Sequence, residues 1–596
     1  VTGAGDPSPL VVARVVPDVT GLDKQFDYLV PEALLDSVSV GSMVRVPLHG
    51  RRIGGWVVAL SSMPRSLASG QGAPVSEQSG WGAAVRVERL LPIAKWSSVG
   101  PAPELIELAE WAACRWGASR VRPFLVAADP PRMVARLPAV NRTVNVAPSA
   151  GAHHADELHW LAPLTDPLPL VIDIVRAAGP TIVVHPSPAA AAAVARRLRK
   201  TGLTVALMPD DWAAAAGGVD VVVGSRVAVW APCPGLRTVV VLDEHDEALQ
   251  EERAPTWHAR DVAIERARRS GTRCVLVSPC PTATAVRWAG AAVRYASASE
   301  RVHGWPFVDV VDRSDEEPWR RSLVSSALIA ALRDHDRRVV CVLNTPGRAR
   351  LLACRSCKAL QRCTACDAAV TQGDDGQFVC RRCGLIRPPV CQACGSTAMA
   401  NVKPGVSRLR EELAAAANRE VFAVTGESAG KLPTADVYVG TEAVLHRVRN
   451  IDTVAFLDFD AELLAPRYRA AEQVMALLVR AGRLVGPRGG GGRVLVQTHV
   501  PHHELLQAVV LADPLRLVDG ELARRRVFGL PPFGALAAVE GSGASDFAAV
   551  TGLEAAPTAK GVLLRATSWD ELASALESAP RPKGSRLRVE VDPPRA

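Results

Sequence analysis

The chain has 596 residues and a mass of 63.2 kDa, which at roughly 150 residues per domain sets a prior of about four domains and excludes one small module. It is 48% hydrophobic and 22% charged, a globular balance, and no apolar run approaches the ~18 residues of a membrane-spanning helix. Formal charge is +8, with 8 lysines among the 69 basic residues; arginine forks suit phosphates, although an Arg and Ala bias is also what a GC-rich genome writes. Residues 1–15 lack the basic start, apolar core and small-residue cleavage site of a signal peptide, so the expected location is cytoplasmic, with no membrane partner.

In chain order, LVVARVVPDV, FDYLVP, GSMVRVPLHG and IGGWVVAL predict short strands of a small β module. The Gly/Ser/Gln-rich stretch from Ser69 to Gly82 predicts a loop, and PELIELAEWAACRWG has helical spacing. PSAGAHHADEL near residue 150 predicts a linker. From about residue 158, TIVVHP, VDVVVGS, RTVVVLDEHD and RCVLVSP alternate with helical stretches such as AAAAVARRLRKTG. Near-continuous Val/Ile/Leu strands between helices predict a doubly wound parallel sheet. RVVCVLN, DVYVGT and TVAFLDFD predict a second α/β unit interrupted by a cysteine-rich insertion, and from about Arg493 a small C-terminal domain is expected.

Eight of the 13 cysteines lie between Cys354 and Cys394 as four C-x-x-C pairs separated by 5, 13 and 7 residues. Without a secretory signal disulfides would be reduced, whereas thiolates at this spacing match four-cysteine zinc sites. A 13-residue gap suits a zinc-ribbon hairpin and a 5-residue gap is short for one. Cys363, Cys366, Cys380 and Cys383 are therefore expected to share one Zn²⁺, and Cys354, Cys357, Cys391 and Cys394 a second, two Zn²⁺ per chain. Such closed sites are structural, because no coordination position is open. Cys114, Cys233, Cys274, Cys280 and Cys341 are expected to be buried spectators.

The order of these segments resembles the primosomal protein N′ (PriA) replication-restart family over almost the whole chain. VARVVPDVTGLDKQFDYLVP with VGSMVRVPLHGRRIGGWVV looks like that family's DNA-end-binding domain. GSRVAVWAPCPGL, DEHDEALQEERAPTWHARDVAIERA and GTEAVLHRVRNIDTVAFLDFDAELLAPRYRAAE look like its two motor lobes, and the cysteine cluster is the strongest match. The resemblance implies a multidomain α/β fold: a β-rich 3′-DNA-end-binding domain (1–135), a linker in place of the family's winged helix (136–157), degenerate RecA-like lobes 1 (158–318) and 2 (319–350 and 401–492), a double zinc-ribbon insertion (351–400) and an α+β C-terminal domain (493–596). It places Phe26, Asp27, Gly41 and Arg45 at the DNA end, and Trp257 in a loop that could stack on single-stranded DNA. Core packing is the competing expectation for Trp212, Trp230 and Trp257. The implied ligand is forked DNA with a nascent 3′ end, and the implied partners are single-stranded DNA-binding protein and other primosome components, met in part by the zinc region.

An active helicase of this family needs the phosphate loop G-x-x-x-x-G-K-[ST], whose backbone N–H groups cradle phosphates and whose lysine reaches them. Of the lysines only Lys431, in GESAGKLPT, follows a glycine, and there Thr425 replaces the first glycine and Leu432 the hydroxyl. Where the resemblance places the loop, the chain reads LHWLAPLTDPLPLV. The acidic motif Asp-Glu-Glu-His aligns as Leu242, Asp243, Glu244 and His245, and the coupling motif as Ser278, Pro279, Cys280 and Pro281. In RAGRLVGPRGGGG one alignment keeps Arg480 and Arg483 as arginine fingers, and another puts Leu484 and Pro487 there. Losing the lysine removes most of the charge stabilisation that phosphoryl transfer needs, which argues against ATP and Mg²⁺ as working cofactors. Asp243 and Glu244 are then expected as solvent-facing acids at a strand end. The expected activity is fork binding and primosome assembly without a helicase; the alternative is an active ATP-dependent 3′-5′ helicase with a non-standard nucleotide site.

Overall fold

The computed structural model describes residues 10–22, 24–63, 90–118, 120–139, 142–143, 156–315, 323–343, 352–373, 375–380, 382–401, 406–424, 430, 432–582 and 586–596. The loop expected from Ser69 to Gly82, most of the linker near residue 150, and Lys431 lie outside the described residues. Strands β1 (Leu10–Pro17), β2 (Phe26–Leu29), β3 (Met43–Leu48), β4 (Arg51–Met63) and β5 (Lys95–Ser98) pair antiparallel in the order β2-β1-β4-β3-β5. The Leu29 N–H donates to the Leu91 carbonyl at 3.0 Å and the Ile93 N–H donates to the Leu29 carbonyl at 2.9 Å. The segment entering β5 thereby bridges to the end of β2 and curls the sheet into a small barrel, joined there by a single isolated bridge. Ala13, Val15, Val44 and Val46 fill its interior, while Arg14 and Arg45, one residue out of phase, take the outer face. Two helices follow, Pro103–Arg115 and Arg122–Ala128, each started by a proline at a position where no backbone N–H is required.

Strands β6 (Glu157–Trp160), β7 (Thr181–Val184), β8 (Val205–Leu207), β9 (Val221–Gly224), β10 (Thr238–Leu242), β11 (Arg273–Ser278) and β12 (Val293–Tyr295) form an all-parallel sheet in the order β12-β6-β11-β10-β7-β9-β8. Helices on both faces account for the unbroken valine runs: Val239 and Val241 enter one core and Val240 and Leu242 the other. Beyond it come β13 (Phe307–Asp312) and β14 (Val339–Val342), then the cysteine-rich insertion with β15 (Leu352–Cys354), β16 (Val370–Gln372), β17 (Phe378–Cys380), β18 (Ile386–Arg387) and β19 (Met399–Asn401). Strands β20 (Val421–Val424), β21 (Val437–Gly440), β22 (Thr453–Phe456) and β23 (Arg493–Thr498) complete a second parallel sheet, ordered β13-β23-β22-β14-β21-β20.

Two expected boundaries move. Sequence order puts Phe307–Asp312 in the first lobe and Arg493–Thr498 in the C-terminal domain, yet the two strands pair with each other from Phe307 opposite Arg493 to Asp312 opposite Thr498. Parallel strands draw partners from far along the chain, so sheet membership overrides sequence proximity. The C-terminal β24 (Ala535–Glu540), β25 (Glu554–Thr558), β26 (Gly561–Ala566) and β27 (Arg588–Val591) form an antiparallel sheet covered by the helices Ala544–Thr551 and Trp569–Ser578. Its Phe547, Leu572 and Leu576 join the core that also holds Leu105, Leu108 and Ala112 of the first helix and Val239 and Leu276 of the first lobe. No helix among the described residues is long and apolar enough to cross a membrane.

Candidate functional site

The insertion folds around four equivalent knuckles. In each, the residue after the second cysteine donates its N–H to the carbonyl of the first: Lys358 to Cys354 at 2.9 Å, Asp367 to Cys363 at 3.0 Å, Gly384 to Cys380 at 2.9 Å and Gly395 to Cys391 at 2.8 Å. All four of these residues have left-handed backbone, with φ of 66°, 61°, 76° and 74°. The knuckles meet in two groups, Cys354, Cys357, Cys391 and Cys394, and Cys363, Cys366, Cys380 and Cys383, each with its sulfurs within 4.8 Å of one another. Paired Sγ atoms stand 3.4–3.5 Å apart, well beyond the about 2.05 Å of a disulfide and near the spacing of thiolates around a tetrahedral metal. Either group could hold a metal ion. The insertion is docked on the second lobe: the Ala369 N–H donates to the Leu464 carbonyl at 2.7 Å, and Arg382 faces Glu521 at 3.6 Å. Among the other cysteines, burial pushes the Cys233 thiol up to about 11 and Cys341 to about 12, which keeps both protonated and unreactive. Cys114 is only half-buried, and its thiol donates to Glu577 at 3.4 Å.

The nucleotide position expected between the lobes is built very differently from a phosphate cradle. The loop from Leu161 to Pro167 joins β6 to the helix Leu168–Ala178, and three of its five backbone N–H groups are spent inside the protein. Leu161 donates to Ser278, Leu164 to Gly304 and Thr165 to Ala162, at 3.0–3.3 Å, and the first helical N–H, of Leu168, donates to its own neighbour's Asp166 carboxylate at 3.1 Å. Pro163 and Pro167 have no N–H to offer. Asp243 follows β10 in left-handed backbone, at φ 51°. Opposite it, on the second lobe's helix Ala470–Val485, Arg483 donates through both Nη atoms to the two Asp243 oxygens at 2.7 Å each, and through Nε to the Pro163 carbonyl at 2.9 Å. Burial alone would raise the Asp243 carboxyl, but the Arg483 guanidinium more than offsets it and holds the group well below the usual carboxylate range. One helix turn back, Arg480 donates to Asp246 at 2.8 Å. Of the two alignments left open, the structure brings Arg480 and Arg483 to the acidic motif, while Leu484 packs on the second-lobe core.

The expectation of solvent-facing acids is corrected here. Glu244 is 1% exposed; it accepts from the Thr282 N–H at 2.8 Å and hydroxyl at 3.0 Å, with Arg260 Nη1 at 3.5 Å. Burial raises its carboxyl above the ordinary value despite Arg260. His245 is pushed down to about 4 by burial and lies 2.9 Å from the Ser278 hydroxyl. The partner that buries Glu244, Arg260, sits on the helix Ala259–Arg269, a contact that no local motif signals. A cavity of about 130 Å³ beside this motif, lined by Glu244, Arg260, Arg469, Glu472 and Arg480 among others, falls well short of the roughly 300–1,000 Å³ of small-molecule pockets.

The residues expected at a DNA end are spread over the barrel. Phe26 is half-buried against the barrel core on β2. Asp27 beside it accepts from Arg14 Nε at 3.0 Å, its cross-strand partner on β1. Gly41 has φ 94° and lies so close to the next segment that a Cβ would sit 1.9 Å from the Pro101 carbonyl oxygen. Arg45 is exposed on β3 directly opposite exposed Lys95 of β5, a like-charged pair that sequence reasoning missed because the 49 intervening residues hide the pairing. In the sheet order, β1 and β4 separate β2 from β3. Trp257 is a correction: it is 5% exposed, with its ring 5.7 Å from that of Trp230 at 84°, so it packs in the core and presents no stacking face.

A family model described as the 3′DNA-binding domain of PriA matches residues 14–122. The chain is 30% identical over 585 residues, 88% of its own length and 85% of the relative's, to the "Probable replication restart protein PriA" of Mycobacterium tuberculosis strain H37Rv. It is 29% identical over 370 residues to the replication restart protein PriA of Bacillus subtilis strain 168, a match covering 57% of this chain but 45% of that protein. Among solved structures, a DEAD box protein from Methanococcus jannaschii overlaps with a TM-score of 0.29 at 10% identity, over 62% of this chain and 87% of that one. The Saccharomyces cerevisiae Dbp5 structure bound to RNA and ADP BeF3 overlaps with a TM-score of 0.31 at 11% identity, over 71% and 92%.

Proposed function

The chain belongs to the replication restart protein PriA family, and from that premise we propose that it binds stalled or abandoned replication forks and helps assemble the primosome, without helicase activity of its own. The observation that carries the last clause is the loop Leu161–Pro167, where two prolines lack an N–H, three of the five remaining donors are spent internally, and Arg483 of the other lobe donates to the Pro163 carbonyl. In the proposed mechanism the closed barrel (within 1–135) receives the nascent 3′ end. Arg45 and Lys95, side by side and exposed, offer the charge that a phosphate would neutralise, and Phe26, Asp27 and Gly41 remain the proposed end-contacting residues on the same domain. The two four-cysteine groups hold one Zn²⁺ each, which fixes the knuckles and supplies folding energy rather than reaction chemistry. Single-stranded DNA-binding protein and other primosome components are the proposed partners, and the cytoplasm the proposed location.

Fork binding is tested by titrating the purified chain, at fixed salt, with forks carrying a 3′ end at the junction and with plain duplex. A preference for the fork, reduced in Arg45→Ala, is expected; equal affinity refutes the proposal. Metal analysis should return two zinc ions per chain. The second reading, an active ATP-dependent 3′-5′ helicase with a non-standard site, draws on the placement of Arg480 and Arg483 at the acidic motif. DNA-stimulated ATP hydrolysis abolished by Glu244→Gln would establish it, and absence of ATP binding removes it.

A further inference from the structure

The helix Ala470–Val485 lays one stripe along the first lobe, with Glu472, Ala476, Arg480 and Arg483 at i, i+4, i+8 and i+11. Its polar members each take a different first-lobe partner. Glu472 accepts the Ala283 N–H at 2.7 Å, Gln473 beside it donates to Glu247, Arg480 donates to Asp246 at 2.8 Å, and Arg483 donates to Asp243 and to the Pro163 carbonyl. Gly482, between the two arginines, allows this approach: a Cβ there would stand 3.1 Å from Pro306 in the segment that links the lobes.

We propose that this stripe is a built-in interlobe lock, in which the Arg483 guanidinium stands between the Leu161–Pro167 loop and Asp243 and holds the two lobes closed without any nucleotide. The proposal deepens the reading of a cleft that turns over no ATP, and rests on it. In an ATPase, lobe closure is contingent: the polyphosphate and its Mg²⁺ are the charges that both lobes grip. Here the charges are supplied by the chain. Asp243 is matched by Arg483 in a two-pronged pair and Asp246 by Arg480, so the acidic motif is neutralised without a bound ion. A triphosphate entering from solvent would have to draw Arg483 away from Asp243, leaving that carboxylate facing phosphate oxygens of the same sign. The loop would repay little of this, because the N–H groups of Leu161, Leu164 and Thr165 are already donating within the protein and Pro163 and Pro167 have none. Arginine fingers that would serve catalysis in an active motor serve here as the clasp.

The test is hydrogen exchange on the full-length chain, followed in three segments: the loop 161–167, the helix Ala470–Val485 and, as an internal standard, the barrel strands β1–β4. Adding Mg·ATP to the wild type is expected to leave all three unchanged. Arg483→Ala is expected to speed exchange at least tenfold in the loop and along the helix, with the barrel unaffected. If Arg483→Ala exchanges like the wild type while ATP still fails to protect either segment, the lock is refuted and the reading of an inactive cleft stands. If Mg·ATP protects the loop in the wild type, both fall. Should Arg483→Ala loosen the barrel as well, the exchanged pair Asp243→Arg with Arg483→Asp decides: recovery of wild-type protection supports the lock, and persistent loosening overturns it.

Discussion

Glu244 and Arg260 are buried at 1% exposure each, so their value lies in each other's company. Glu244→Ala leaves the Arg260 charge matched by Asp261 at 3.0 Å and by Asp592 nearby but strands the Thr282 N–H, and is expected to cost about 1–3 kcal/mol in urea unfolding. Glu244→Gln keeps an acceptor for the Thr282 N–H and should cost visibly less. A neighbouring group gives a pH signature. Burial, with the Arg260 charge, pushes His258 down to about 3, so the folded chain refuses a proton that the unfolded chain accepts below about pH 6.5. Its contribution is therefore intact above that pH and is lost towards pH 3, by up to about 1.4 kcal/mol per pH unit. His258→Asn preserves a side-chain acceptor for the Arg260 N–H and does not titrate. Its stability should fall by about 1 kcal/mol less than the wild type's between pH 7.5 and 5.5 by urea titration. Neither side chain's state was legible in DEHD or TWHARD. The motif letters place an acid at a strand end, but whether it meets water or Thr282 depends on a loop and a helix that local pattern does not position.

At the scale of an element, the four cysteine knuckles share one backbone shape with unequal residues at its strained position. Gly384 and Gly395 adopt left-handed φ at no cost, whereas Lys358 carries a Cβ there. Gly384→Ala has open space around the new methyl, so its expected cost of about 1 kcal/mol comes from φ alone. It should appear as faster loss of metal to a competing chelator, read by a colorimetric zinc dye. Lys358→Gly should slow that loss. The nested pairing of these cysteines was legible because a hairpin needs a minimum length, a constraint carried by spacing. The barrel's closure was not: β1 to β4 announce themselves by alternation, but the contact of Leu29 with Leu91 and Ile93 joins segments more than 60 residues apart. The same holds for β13 and β23, whose valines mark them as strands and say nothing of which sheet receives them.

Across the whole molecule, parts that look separate in sequence share one apolar interior. Arg115 of the first helix stacks 3.9 Å over Trp569 of the C-terminal domain, and Gln250 of the first lobe donates to the Asp592 carbonyl at 3.1 Å. Phe547→Ala, at a fully buried position of the last domain, should cost about 3–5 kcal/mol. The loss should surface in the helix Pro103–Arg115 and strands β10 and β11 as faster hydrogen exchange, with β14 and β22 in the other core unaffected. Fold class and lobe order were readable from valine-rich strands between helices, and the missing lysine from simple counting. Which surfaces fuse was not, because every helix with one apolar face looks alike until its partner is known. The shared interior also sets a schedule for biosynthesis. The helix Pro103–Arg115 and the first lobe leave the ribosome early, yet Phe547, Leu572 and Val591, which complete their core, are still hundreds of codons away. At about 5–20 residues per second the nascent chain waits on the order of tens of seconds with that apolar face uncovered. The length of that exposed interval is thus a property written into the order of the segments.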